Sequence, residues 1–281
     1  MISVSTAFFP GAPIDTSPAD LILSSTDSVL FYVHSARLMR SATSGLLSQV
    51  NARRMELLTI DNAIQIPQIS TVLNIVMHCI YGLSCTHFSP TIQDIETAVH
   101  ALEEYGVPSQ SYCASTAPLY HTILTLIPTS PLTVYSIAAS IDNRALASIA
   151  SSHLLSLSLS SISEEMSIKI GPVYLKRLFF LHLGRAQALK ALLLPPPRSH
   201  PPTDKCTVQS QESLGRAWAL AGAYLSWDDN PNVSANFIEL TLSPLGEKLD
   251  CELCKETLGV RIQGLITQWA QVKVFVSLLL E

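Results

Sequence analysis

The sequence predicts an α+β chain: a small strand-containing domain followed by an all-helical extension. Three observations carry this. The runs 20–24 and 29–33 are short and rich in β-formers, and Ser25, Thr26, Asp27 and Ser28 between them supply a turn, which together make a hairpin signal. From residue 69 onward apolar residues recur at helical spacing. Finally, Pro195, Pro196, Pro197, Pro201 and Pro202 interrupt the helical pattern, because proline lacks the backbone donor a helix interior needs.

Each element can be justified in order. Residues 1–18 are small, polar and proline-punctuated and read as a flexible N-terminal arm. After the hairpin, 34–47 reads as one or two short helices, and 60–66 as an extended segment stopped by Pro67. Val72, Leu73, Val76, Met77 and Ile80 place a helix over 69–81, ended by Gly82. Pro90 opens the next, 91–105, with Ile92, Ile95, Val99 and Leu102 on one stripe and Gly106-Val107-Pro108 as its stop. Beyond Pro108 the chain reads as helical throughout. Pro131 starts a segment ending near Ser140, Asn143 caps another reaching Leu155, and Ser163 with Glu164 and Glu165 opens a third. The longest helix is 174–194, with Leu175, Leu178, Phe179, Leu181, Leu189, Leu192 and Leu193 toward a core and Lys176, Arg177, Arg185 and Lys190 toward water. Residues 195–211 form an extended connector. Helices over 212–227, 235–242 and 245–270 make a C-terminal module, 212–281, whose aromatic core is Trp218, Trp227 and Trp269.

Composition narrows the function. With 22 acidic against 17 basic side chains the net charge is −5, and the adjacent basic pairs are Arg53-Arg54 and Lys176-Arg177, which disfavours a nucleic-acid footprint, so no nucleic-acid partner is expected. At 48% hydrophobic and 14% charged, the chain has material for a core and is not globally disordered. Six cysteines are too sparse for a disulfide scaffold and fit an intracellular protein, in cytoplasm or nucleus, and no secretory signal is evident. The charge-free stretch 106–141 is cut by Pro108, Pro118, Pro128 and Pro131 into pieces too short to span a bilayer, and 145–163 is broken by His153 and serines, so no membrane partner is expected.

Ala19-Asp20-Leu21-Ile22-Leu23, then Phe31-Tyr32-Val33-His34, then Leu38, resembles the opening of a BTB/POZ domain: an Asp-headed strand, a second strand ending in Phe-x-x-His, and a helix with Leu four residues on. The resemblance continues through Ile64-Gln65-Ile66-Pro67, Ile80-Tyr81-Gly82 and Tyr105-Gly106-Val107, covering 19–107 as the BTB/POZ-like domain, with 108–194 as its helical extension. With the helix at Tyr174-Leu175-Lys176-Arg177-Leu178, the chain is similar to a set of fungal BTB proteins. It departs from the pattern at Ser44-Gly45-Leu46-Leu47, which lacks the aromatic found after the Leu. The resemblance implies a non-enzymatic protein-interaction module, a homodimer that acts as scaffold or adaptor. A substrate adaptor for a cullin-type ubiquitin ligase is the alternative it offers. An enzyme with a spatially assembled site is the alternative of another class, since a nucleophile and base need be neighbours only in space.

One spacing carries chemistry. Cys251 and Cys254, three residues apart at a helix start, can share a zinc ion, and His200 with Cys206 would complete a set of three sulfurs and one imidazole. That reading is a structural zinc clip pinning the proline connector to the last helices. The alternative is that Cys251 and Cys254 are partly buried free thiols. His34 at a strand-to-helix junction reads as a capping or core-edge residue, and His182 as a satisfied buried histidine. Cys79, Cys85, His78 and His87 lie close in sequence, but Cys79 falls on an apolar helix stripe.

Overall fold

The computed structural model describes residues 2–41, 59–204, 206–227 and 229–275. The chain is mixed helix and sheet and forms two compact units, Met1–Leu146 and Ala147–Glu281. Among the described residues no helix is long and apolar enough to cross a membrane.

The first unit is built on a four-stranded sheet. Its strands are β1 (Ser3–Val4), β2 (Leu21–Ser24), β3 (Val29–Val33) and β4 (Ile64–Gln65), in the order β1-β3-β2-β4. β2 and β3 form the expected hairpin, antiparallel with Leu21 opposite Val33 and Ser24 opposite Leu30, while β4 runs parallel to β2. Ser25 closes the turn by donating its hydroxyl to the Val29 carbonyl and accepting the Val29 N–H. Two aspartates flanking β2 then start two helices. Asp20 accepts from the backbone N–H and hydroxyl of Ser35 at 2.7 and 2.6 Å, opening α1 (Ser35–Ser41). Asp27 does the same for Ser70 at 2.8 and 2.6 Å, opening α2 (Ser70–Tyr81). In each case a carboxylate satisfies the orphan donor of a first turn, where the helix dipole favours negative charge.

The N-terminal residues are not a loose arm. β1 pairs parallel with β3, and Phe8 is fully buried, its ring edge-on to His78 at 5.2 Å and to Tyr81 at 5.3 Å. A sequence of small polar residues hides this, because the grip comes from one aromatic. His34 is buried where β3 hands over to α1, with Nδ1 2.8 Å from the Tyr81 hydroxyl and Nε2 2.8 Å from the Ser17 carbonyl. The sequence departure at 44–47 and the second part of the 34–47 helical segment lie outside the described residues.

α3 (Ile92–Glu104) carries a capping box between Thr91 and Asp94 and buries Ile92, Ile95, Val99 and Leu102, the expected stripe. The first unit does not end at residue 107. α4 (Ser109–Cys113), α5 (Pro118–Leu126) and α6 (Pro131–Ser140) pack on α2 and α3, and they bury Tyr112, Ile123 and Tyr135. α4 and α5 are missed by periodicity because prolines at 108 and 118 cut them to lengths at which a stripe is hard to see. α7 (Arg144–Ser152) follows, with the Asn143 side chain accepting the Leu146 N–H at 3.0 Å, and the boundary between the units falls within it.

The second unit holds α8 (Glu164–Leu193), α9 (Val208–Leu225), α10 (Ala235–Leu242) and α11 (Glu252–Gln271). α8 is two helices joined at Gly171, whose φ of 73° and ψ of 162° only glycine adopts at little cost, with Pro172 opening the second part. The buried face of that part is Tyr174, Leu178, Leu181, His182, Arg185, Ala186, Leu189 and Leu193. Arg185, expected in water, is therefore inside, and Phe179 is 39% exposed. Leu189 and Leu193 join one core with Leu214 and Trp218 of α9, Ile238 and Leu242 of α10, and Leu258, Ile262, Leu265 and Trp269 of α11. Trp227, expected in that core, is 82% exposed, because it lies beyond the last buried position of α9, Leu225.

Candidate metal centre

His200, Cys206, Cys251 and Cys254 converge, their ligand atoms all within 4.8 Å of one another. His200 Nε2 lies 3.2 Å from Cys254 Sγ and 3.4 Å from Cys251 Sγ, and Cys206 Sγ lies 3.6 Å from Cys254 Sγ. Cys206 and Cys254 are buried, while His200 and Cys251 are half-buried.

Different devices deliver each ligand. Cys251 is the residue before α11 and Cys254 sits in its first turn, so one helical turn brings both sulfurs to one side. Cys206 stands at the end of a tight turn in which its N–H donates to the Thr203 carbonyl and its carbonyl accepts from Thr203, both at 3.0 Å. His200 is clasped through its backbone by Gln211, which accepts the His200 N–H at 3.1 Å and donates its side-chain amide to the His200 carbonyl at 2.9 Å. Its Nδ1, 2.8 Å from the Pro201 carbonyl, must carry the proton to make that bond, which leaves the lone pair on Nε2 toward the sulfurs. The connector is also held upstream of His200. Trp218 Nε1 donates to the Leu193 carbonyl at 2.8 Å, and Arg261 donates to the carbonyls of Leu192 and Pro195 while lying over the Trp218 ring. The carbonyls of Leu192 and Leu193 belong to the last turn of α8, where intrahelical donors run out, and that of Pro195 to the connector.

The electrostatics of the group favour a cation. The Cys251 thiol is pulled down to about 7, chiefly because the Cys254 N–H points at its sulfur from the first turn of α11. Burial, reinforced by the neighbouring sulfurs of Cys206 and Cys251, pushes the Cys254 thiol up to about 12. The Cys254 thiol thus resists ionisation beside its neighbouring sulfurs, and a divalent ion bound there would remove that resistance. A tetrahedral ion with bonds of about 2.3 Å needs ligand atoms roughly 3.7 Å apart; the separations of 3.2, 3.4 and 3.6 Å lie close to that, and the other pairs, within 4.8 Å, would draw in around an ion. Three soft sulfurs with one imidazole is a donor set suited to zinc or an iron–sulfur centre, rather than to magnesium or calcium. The three cysteines also form part of the wall of a cavity of about 520 Å³.

The other candidates behave differently. Among the described residues Cys79, Cys85, His78 and His87 form no such cluster: Cys85 Sγ contacts the Thr122 hydroxyl at 3.7 Å and His78 Nδ1 the Asn74 carbonyl at 2.7 Å. His182 is buried but only half satisfied, since its Nε2 has no hydrogen-bond partner. Sequence reasoning missed Arg185, whose guanidinium donates to the carbonyls of Pro231, Val272 and Lys273 at 2.7, 2.9 and 3.1 Å and stacks over Trp269 at 4.2 Å. Its place on the buried stripe of α8 was the available signal. Comparison with protein-family models, with curated proteins and with solved structures finds no match to this chain.

Proposed function

We propose that this chain is a non-enzymatic protein-interaction module that self-associates and recruits a further protein, its C-terminal helices fixed by one structural zinc ion on His200, Cys206, Cys251 and Cys254. The observation that carries the reading is the closed donor set. Four protein ligands fill a tetrahedral zinc and leave no position for water or substrate, which is the arrangement of a structural rather than a catalytic ion. When bound, zinc would supply a cross-link between the connector and α11. The residues themselves do the positioning: Pro201 fixes the imidazole tautomer, Gln211 fixes the His200 backbone, and Arg261 with Trp218 anchors the chain that leads there. In the first unit the hairpin, the helix opened at Ser35 and the β4 strand parallel to β2 support the BTB/POZ resemblance of residues 19–107, and with it the self-association.

Two measurements on the purified chain test this. Elemental analysis should find one zinc per chain, and light scattering at tens of micromolar should give the mass of a dimer. A metal-free protein that folds fully would overturn the zinc clip, and a monomer at that concentration would overturn self-association.

A further inference from the structure

The second unit carries an apolar face that its own core does not use. On α9, Leu220 and Tyr224 lie one turn apart, and Trp227 follows in the turn just beyond the helix end; the three are exposed by 74%, 64% and 82%. Phe237 and Leu240 of α10 continue the face, and the rings of Tyr224 and Phe237 stand 6.2 Å apart, so the two helices present one contiguous surface. No charged residue occurs from 217 to 227, the whole stretch between Arg216 and Asp228. Ala219 and Ala223 of the same stretch are also exposed.

At these exposures the five large side chains present roughly 700 Å² to solvent, above the roughly 300–600 Å² of the largest apolar patch on an ordinary monomer. A standard-size interface takes about 800 Å² from each partner, so this face alone nearly suffices. Its make-up is that of an interface centre, with Trp, Tyr and Phe grouped together and two exposed charges of opposite sign, Arg216 and Glu239, beside them. An isologous pair needs one self-complementary patch, and a face of large apolar side chains with Arg216 and Glu239, opposite in sign, beside it meets that need.

We infer that the α9–α10 face of Leu220, Tyr224, Trp227, Phe237 and Leu240 is a self-association surface, its occupant the same face of a second copy of this chain. The inference rests on the self-association reading above and moves the contact to the C-terminal module. The test is sedimentation equilibrium of the full chain, wild type against the double variant Leu220→Glu, Trp227→Glu, with circular dichroism and zinc content as checks of folding. The inference expects a wild-type dimer and a variant dissociation constant raised at least about 30-fold, because a twofold axis brings the introduced charges together. A dimeric wild type with an equally dimeric, folded variant overturns the surface while leaving self-association standing. A monomeric wild type overturns both. Should the double variant fail to fold, Ala223→Arg on the same face must give the same weakening, and an unaffected dimer overturns the surface.

Discussion

The sulfurs of Cys206 and Cys254 lie 3.6 Å apart although 48 positions separate the residues in the chain. In the core of the second unit Trp218 of α9 and Leu258 and Ile262 of α11 lie together with residues of α8 and α10, and Arg261 reaches the carbonyls of Leu192 and Pro195. An ion at the meeting point then adds its binding free energy to the stability of the module, about 10–16 kcal/mol as an apparent value for structural zinc sites at neutral pH.

Replacing Cys254 by Ser should therefore reduce zinc to background, because three remaining ligands hold a structural ion poorly. Hydrogen exchange should quicken over 195–211 and the start of α11, with protection of α2 and α3 unchanged. Wild-type protein stripped by a chelator should show the same pattern, and uniform loss of protection across both units would contradict it.

Arg185 is a buried cation with backbone carbonyls as the partners in its bonds, and burial draws its pKa down from its ordinary value. Arg185→Met should cost about 2–4 kcal/mol in urea unfolding, since the carbonyls of Pro231, Val272 and Lys273 lose a charged donor and Trp269 loses its cation. Arg185→Lys should rescue little of this, because a single ammonium cannot span three carbonyls as the planar fork does. A lysine variant as stable as wild type would contradict that assignment.

The division between what the sequence makes legible and what it does not follows from range. The hairpin, the stripes of α2 and α3, and the Cys251-Cys254 pair rest on neighbours a few residues apart, and turn residues, spacing and ligand type declare them. The residue types of the four-ligand set can likewise be read off the chain. Their convergence cannot, since it depends on Gln211 bonding back to His200 and on Arg261 reaching Leu192 and Pro195. Phe8 and Arg185 illustrate the same limit. One looks like part of a loose arm and the other like a surface cation, until distant segments supply an aromatic cage or a set of backbone carbonyls.

Stability should also depend on pH through two buried histidines, one in each unit. Burial lowers the pKa of His78 and of His182 from the ordinary 6.5. Each ring is easier to protonate in the unfolded chain, so below that value the unfolded state binds more protons. The stability they contribute is thus complete above about pH 6.5 and is lost as the pH falls toward the lowered values. Thermal unfolding followed from pH 7.5 to 5.5 should show a falling midpoint, and His78→Phe should flatten the fall for the first unit. An unchanged slope in that variant would assign the acid sensitivity elsewhere.

X-ray absorption at the zinc edge of the purified chain tests the ligand set most directly. Three sulfurs at about 2.3 Å and one nitrogen at about 2.0–2.1 Å are the expected first shell, and Cys206→Ser should reduce the sulfur count or abolish the signal. A shell of oxygen and nitrogen alone, or a protein that takes up no zinc when supplied with it, would contradict the zinc clip and return Cys206, Cys251 and Cys254 to plain thiols packed against a histidine.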